Sequence, residues 1–321
     1  MTNLKKIGLT ALAGSLVATS AFAGALSVSG GAKMSHTTKG GNEDTTPVGS
    51  PFGLQRSIGF TGSGELDNGH TVSLAHYSAA GGGHSSSALT YDMGDAGSIT
   101  YQDTSAALGI AKIDDMMPTA DEEIWNGVGG SPVGRANGPG TGFNYTNTSM
   151  DGVRIDVGYS PGSIATGADD GAGSGAGRVK SASSIAIQYT GIEGANIFAG
   201  TGSKGASDNT ETDLDTYGFT YTMGSITVGA QHTETDVSGT ADQEKDAIGI
   251  AFAINENLSV SYGASETEEV GATLDQELSG MSIGYSMGGV TIKAHSNKGE
   301  NVSNTAATEH EHTEIAVSFA F

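Results

Sequence analysis

Glu314-Ile315-Ala316-Val317-Ser318-Phe319-Ala320-Phe321 is the stretch that decides how this chain reads. Every second residue is large and apolar, and those between are small or acidic. Successive side chains of a strand point to opposite faces, so this segment has one greasy face and one small polar face. The pattern recurs upstream. Leu26 and Val28 alternate with Ser27 and Ser29, and Tyr217, Phe219, Tyr221 and Met223 with glycine and threonines. Ile248, Ile250, Phe252 and Ile254 repeat it, as do Leu258, Val260 and Tyr262. Two stretches leave the parity open. Around His70–Tyr77 the apolar positions slip, as a bulge would make them, and around Asn196–Thr201 either parity fits.

The small polar face carries Ser, Gly, Ala and Thr rather than the Lys and Glu of a soluble sheet surface, which suits the wall of a wide water-filled lumen. Among 321 residues there are 51 Gly but only 6 Pro, and scarce proline favours long uninterrupted ladders. Short turns fall at Asp67–Gly69, Gly94–Gly97, Met150–Gly152, Gly191–Ala195, Met223–Ser225, Asn255–Asn257 and Met287–Gly289. Longer acidic stretches lie near 35–55, 80–84, 104–141, 161–181, 203–214, 236–245, 266–275 and 297–310. Such alternation predicts an all-β fold, a transmembrane antiparallel β-barrel of about sixteen strands with short periplasmic turns and longer external loops. An open sheet edge in hydrocarbon leaves backbone groups unpaired, so the last strand must pair with the first. Ile315, Val317, Phe319 and Phe321 then form the membrane-facing side of the closing strand. Tyr91, Tyr221 and Tyr285, each just before a Met-Gly turn, are placed at the inner aromatic girdle.

The first residues point to export. Lys5 and Lys6 precede an apolar run from Ile7 to Val17, and Ala21-Phe22-Ala23 supplies small residues for cleavage before Gly24. Residues 1–23 are read as a signal peptide and 24–321 as the barrel. There is no cysteine, so no disulfide scaffold and no lipid-anchored cysteine. The formal charge of −22 becomes more negative once the two leader lysines are removed, and it argues against phosphate-directed binding of nucleic acid.

The chain resembles the Gram-negative general (diffusion) porins of the alpha- and beta-proteobacterial type. The terminal aromatic strand ending in Phe321 is similar to the signal that the barrel-assembly machinery reads. Arg135, Asn137, Phe143, Asn144, Tyr145, Gly152 and Tyr159-Ser160 resemble the family's stretch after the third external loop, with looser spacing at Gly138–Gly142. The resemblance implies a homotrimer of sixteen-stranded barrels in the outer membrane, among lipid and lipopolysaccharide, passing small hydrophilic solutes. It also implies that the third loop, residues 104–141 with the single Trp125 and Gly127, Gly129 and Gly130, folds into the lumen.

On this reading the pore is narrowed by Asp114, Asp115, Asp121, Glu122 and Glu123 of that loop, set against basic residues of the facing wall. Strand parity puts Lys33, Arg154 and Lys293 on the lumen side. Arg56 is added at the rim with its parity open. Most acids fall in or near the external loops, and a negative mouth favours cations.

Other constellations are thinner. His310-Glu311-His312 lies on alternating faces, Asp169-Asp170 in a glycine-rich run has no regular calcium spacing, and Gly200–Lys204 lacks the full phosphate-loop pattern. No cofactor and no catalytic residues are expected. A substrate-selective channel, an outer-membrane enzyme and a soluble β-rich adhesin remain as alternatives, distinguished by saturable binding, turnover and detergent-independent solubility.

Overall fold

The computed structural model describes residues 24, 26–42, 50–78, 83–103, 107–129, 141–161, 181–205, 211–239 and 241–321. The strands are β1 (Ser27–Gly40), β2 (Phe52–Glu65), β3 (Thr71–Ser78), β4 (His84–Asp92), β5 (Ser98–Asp103), β6 (Gly142–Asn147), β7 (Val153–Ser160) and β8 (Ala182–Tyr189). They continue as β9 (Ala195–Gly205), β10 (Glu211–Met223), β11 (Ile226–Val237), β12 (Gln243–Asn255), β13 (Leu258–Glu269), β14 (Gln276–Met287), β15 (Val290–Glu300) and β16 (His310–Ala320). Each pairs antiparallel with its sequence neighbours, and β1 pairs with β16, so the sheet is a closed barrel of sixteen strands. At the seam the Gly30 N–H donates to the Phe321 carbonyl at 2.7 Å and the Phe321 N–H returns the bond at 2.9 Å. Closure satisfies both edges, which is what a sheet in hydrocarbon requires.

The pleat sorts the side chains. Ile315, Phe319 and Phe321 are exposed on the outer face and Val317 is partly covered there, while Glu314, Ala316 and Ser318 point inward. Ile248, Ile250, Phe252, Tyr262, Met281 and Ile283 carry the same apolar band around neighbouring strands. Tight turns fix the register. Met223 pairs with Ile226, and Met287 with Val290, leaving two-residue loops in which Gly224 and Gly288 take φ of 62° and 61°. Only glycine adopts that backbone without cost, and the twist of such turns matches the strands.

Two open parities resolve, and one expectation needs correction. In β3 the alternation is regular from Thr71 to Tyr77, and the irregularity sits at Tyr77/Ser78 against β4; His76 is therefore outward and Tyr77 lies inward over Gly59. In β9 the parity resolves with Ile197 outside and Phe198 inside, 2% exposed. Arg56 does not join the lumen wall. It pairs with Ala32 and shares the outer face with Leu54 and Ile58, because β2 begins at Phe52 and alternates without a break through Arg56.

The strands also run further outward than their apolar stretches. β11 runs on to Val237, β12 reaches back to Gln243 and β13 on to Glu269, so half of 236–245 and part of 266–275 are ladder rather than loop. Above the apolar band the alternation continues in polar residues, which a search for hydrophobic periodicity reads as loop.

Candidate functional site: the third loop on the lumen wall

Residues 107–129, between β5 and β6, lie against inward-facing side chains. The segment enters as Leu108 followed by a 3-10 turn, Gly109–Lys112. The Gly109 N–H donates to Asn144 Oδ1 at 2.8 Å and the Ile110 N–H to Ser184 Oγ at 3.1 Å. Ile110 and Ile113, both fully buried, pack with Ala186, Phe198 and Leu214 of β8, β9 and β10. This small apolar core lies between loop and wall, which explains why large hydrophobes occur on the otherwise small polar face.

Beyond it, Gln231 of β11 clamps the loop backbone, donating from Nε2 to the Ile113 carbonyl at 2.8 Å and accepting from the Met116 N–H at 3.3 Å. Pro118 then crosses Gly229 and Gly249, Ile124 crosses Gly263, and the Ala120 carbonyl faces Gly284. A Cβ at any of these glycines would come within 2.6–2.9 Å of the loop. The inward glycines of β11 to β14 thus form a bed on which the segment lies close to the sheet. Ser261 accepts from the Ala120 N–H at 2.9 Å, and Asn297 Nδ2 donates to the carbonyls of Glu123 and Asn126 at 3.0 Å each. Polar wall residues take up the backbone groups of a buried loop, as they must.

The predicted acids divide into two groups. Asp121 meets Lys293 Nζ at 3.4 Å and His295 Nδ1 at 2.8 Å, and Glu122 meets Lys33 Nζ at 3.8 Å. Lys33 also pairs with Glu314 at 2.7 Å. Burial pushes the Asp121 carboxyl up, but the hydrogen bond from His295 and the nearby Lys293 ammonium outweigh it and hold it below its ordinary value. Asp115 forms the other group with Glu123 and Asp114. Burial first, then the Glu123 carboxylate, raises its pKa to about 7. Lys245 of β12 lies nearby, its Nζ 4.7 Å above the Trp125 ring. The predicted bases separate likewise. Lys33 and Lys293 come together at the loop's far part. Arg154 instead forks onto Asp156 of its own strand, at 2.6 and 3.1 Å, and Asp156 also accepts from Asn144 and Thr146.

Asp121 and Glu122 are therefore in contact with Lys293 and Lys33 rather than opposed to them across a gap. The inward positions of β2 to β5, such as Gln55, Thr61, Thr90, Thr100 and Gln102, include no basic side chain among the described residues. Sequence reasoning missed Glu314, Asp156, Lys245, His295 and His312. All share the inward parity of Lys33, Arg154 and Lys293, which would have placed them there. Arg135, Asn137, Gly130 and Asp169-Asp170 lie outside the described residues.

The fold is that of the general porins. The anion-selective porin from Comamonas acidovorans superimposes with a TM-score of 0.68 at 12% identity, covering 92% of this chain and 99% of that one. OmpF of Salmonella typhi, solved in complex with daunomycin, gives 0.69 at 12% identity over 92% and 97%. A mutant Rh. blastica porin gives 0.63 at 16% identity over 92% and 100%. No protein-family model matches the sequence, and no curated protein does. The chain resembles Gram-negative porins in its architecture.

The acids above the apolar band depart from the expected negative mouth. Register puts Asp246, Glu266, Glu277 and Glu300 side by side across β12 to β15, and Asp215, Glu234, Glu244 and Glu268 across β10 to β13. Both rows have the outward parity of Ile248 and Tyr262. Among the inward residues between them are Thr233, Lys245, Ser265, Thr267 and Gln276. The expected negative mouth is, over these strands, a negative collar turned away from the lumen.

Proposed function

We propose that the protein is an outer-membrane porin, a water-filled channel for passive diffusion of small hydrophilic solutes and ions. The observation that carries this reading is a closed barrel, apolar outside and polar inside, whose third loop lies along the wall. Such a loop narrows a passage without filling it. The charged constriction comprises Asp121, Glu122, Lys33, Lys293 and Glu314, with Asp114, Asp115 and Glu123 further along the loop. Reconstitution of the detergent-purified chain into planar bilayers tests it. Stepwise conductance increments are expected, and a bilayer that stays silent with correctly folded barrel present overturns the reading.

Cation preference is the finer part of the proposal. It rests on the constriction, where the carboxylates named above outnumber the ammonium groups, and not on the outward collar. Reversal potentials across a salt gradient measure it, and anion preference at neutral pH would refute it.

Assembly as a homotrimer is supported by Arg56 and His36, polar groups on an outer face bracketed by Leu54, Ile58 and Phe52. A cationic side chain facing hydrocarbon costs up to about 2–4 kcal/mol depending on depth, and cover by another copy removes that cost. The outer membrane, with its lipid and lipopolysaccharide, is the proposed location. The strand ending in Phe321 is the proposed contact for the assembly machinery.

A further inference from the structure

The connection between β15 and β16 folds back onto the far end of the third loop. Its one large apolar residue, Val302, opens a 3-10 turn, Val302–Asn304, and is 4% exposed. Val302 converges with Leu278 of β14 and Val128 of the third loop, both fully buried, over the bare backbone of Gly299. A Cβ on Gly299 would meet these three side chains at 2.8, 3.0 and 3.5 Å. At the other end of the same connection, His310 Nδ1 donates to the Val128 carbonyl at 2.8 Å. We propose that Val302 is a positioning residue, the tooth of an external clasp that holds the end of the third loop to the wall and so keeps the passage at its full width. The inference rests on the channel reading and deepens it.

The clasp is anchored independently of the third loop. Asn301 Nδ2 donates to the Asp275 carbonyl at 3.1 Å, and Asn304 Nδ2 to the carbonyls of Thr267 and Leu274 at 2.9 and 3.2 Å. Gln276 Oε1 accepts from the Ser303 N–H at 2.9 Å. Beyond β1, Asn42 donates to the Ala307 carbonyl at 2.6 Å and accepts from the Glu309 N–H at 2.9 Å. The connection is thus tied to its neighbours on both flanks. Asn301, Ser303, Asn304 and Ala307 all take left-handed φ, between 49° and 59°. Asparagine tolerates that backbone, whereas serine and alanine adopt it at a cost. Such strain persists where surrounding contacts over-determine the conformation, and it collects at clamps.

The third loop needs this second hold. Ile110 and Ile113 bury its first part against β8 to β10. From Thr119 onward the segment lies on glycines and is tied mainly by polar bonds. Val128 restores a buried apolar contact, and Asp121 and Glu122 lie between the two anchors. Freed at Val128, the stretch that bears these carboxylates swings toward the axis and narrows the passage. Loss of a buried valine side chain shifts such a docked-to-undocked balance by about tenfold or more.

The experiment is single-channel recording of the full-length barrel in planar bilayers. The readout is the fraction of open time spent in reduced-conductance sublevels. Val302→Asn should raise that fraction about tenfold, and Val302→Ile, which keeps the tooth apolar, should retain wild-type traces. Asn304→Ala cuts two anchoring bonds, leaves Val302 in place, and should shift the fraction the same way. Ala306→Ser, on the exposed turn of the same connection, should not. Heat-modifiable gel migration separates these effects from loss of the barrel. Unchanged sublevels in folded Val302→Asn overturn the proposal, as does an equal rise in Val302→Ile or Ala306→Ser. Should Val302→Asn not fold, wild-type traces from Asn304→Ala overturn it alone. A wild-type bilayer that stays silent overturns the channel reading instead.

Discussion

Asp156 shows how a single lumen carboxylate is held. Its side chain is 1% exposed and it takes the fork of Arg154 together with bonds from Asn144 and Thr146. Asp156→Ala strands these donors and should lower the barrel's unfolding free energy by about 1–3 kcal/mol; urea titration followed by heat-modifiable gel migration measures it, and an unchanged midpoint would count against this role. Asp115 behaves oppositely. Its folded pKa, about 7, lies above the ordinary aspartate value, so the folded state binds the extra proton between about pH 4 and 7 and stability falls as pH rises across that window. Asp115→Asn should therefore stabilise loop docking at pH 8 and have little effect at pH 4, read as protease protection of residues 107–129. Equal effects at both pH values would contradict the assigned cause. At this scale the sequence was legible where parity sufficed. Lys33, Arg154 and Lys293 face inward as their alternation says. Arg56 was also legible, since Leu54 and Ile58 bracket it, but only to a reader who starts β2 at Phe52.

The third loop depends on elements far from it in sequence. Asp121 and Lys293 stand 172 positions apart by number, and nothing local to either marks the contact. Length and composition single out the segment, yet the wall it lies on is set by barrel closure, and the glycines that make its bed read in sequence only as part of the small polar face. Their role can be tested directly. Gly249→Val places atoms where Pro118 now sits, 2.9 Å from the position of a Cβ. It should lift the loop toward the axis, reduce single-channel conductance, and leave heat-modifiable migration nearly unchanged; full conductance would show that the loop does not depend on this approach. The strand ends were hidden for a different reason. In β12 and β13 the outer portions alternate Glu or Asp with Gln, Lys, Ser or Thr, so the period is intact while its hydrophobic signal has gone.

Across the whole molecule, strand number and direction were readable because each hairpin is local, whereas the sector proposed to meet another copy was not, because it is defined by cover rather than pattern. Arg56→Leu should weaken association of the barrels, giving a smaller assembly by light scattering in detergent; an unchanged mass would remove Arg56 from the contact. The carboxylate rows from Asp246 to Glu300 oppose like charges on adjacent strands, which is destabilising and relieved by salt. Unfolding temperature should therefore rise with ionic strength, and a falling one would contradict the rows. Their orientation has a consequence for the surroundings of the barrel. Along these strands the inward Thr233, Ser265, Thr267 and Gln276 are buried, while whatever packs beside the barrel confronts fixed anions. Ions that crowd onto the exterior can thus alter how the protein sits among its neighbours and leave the vestibule unchanged.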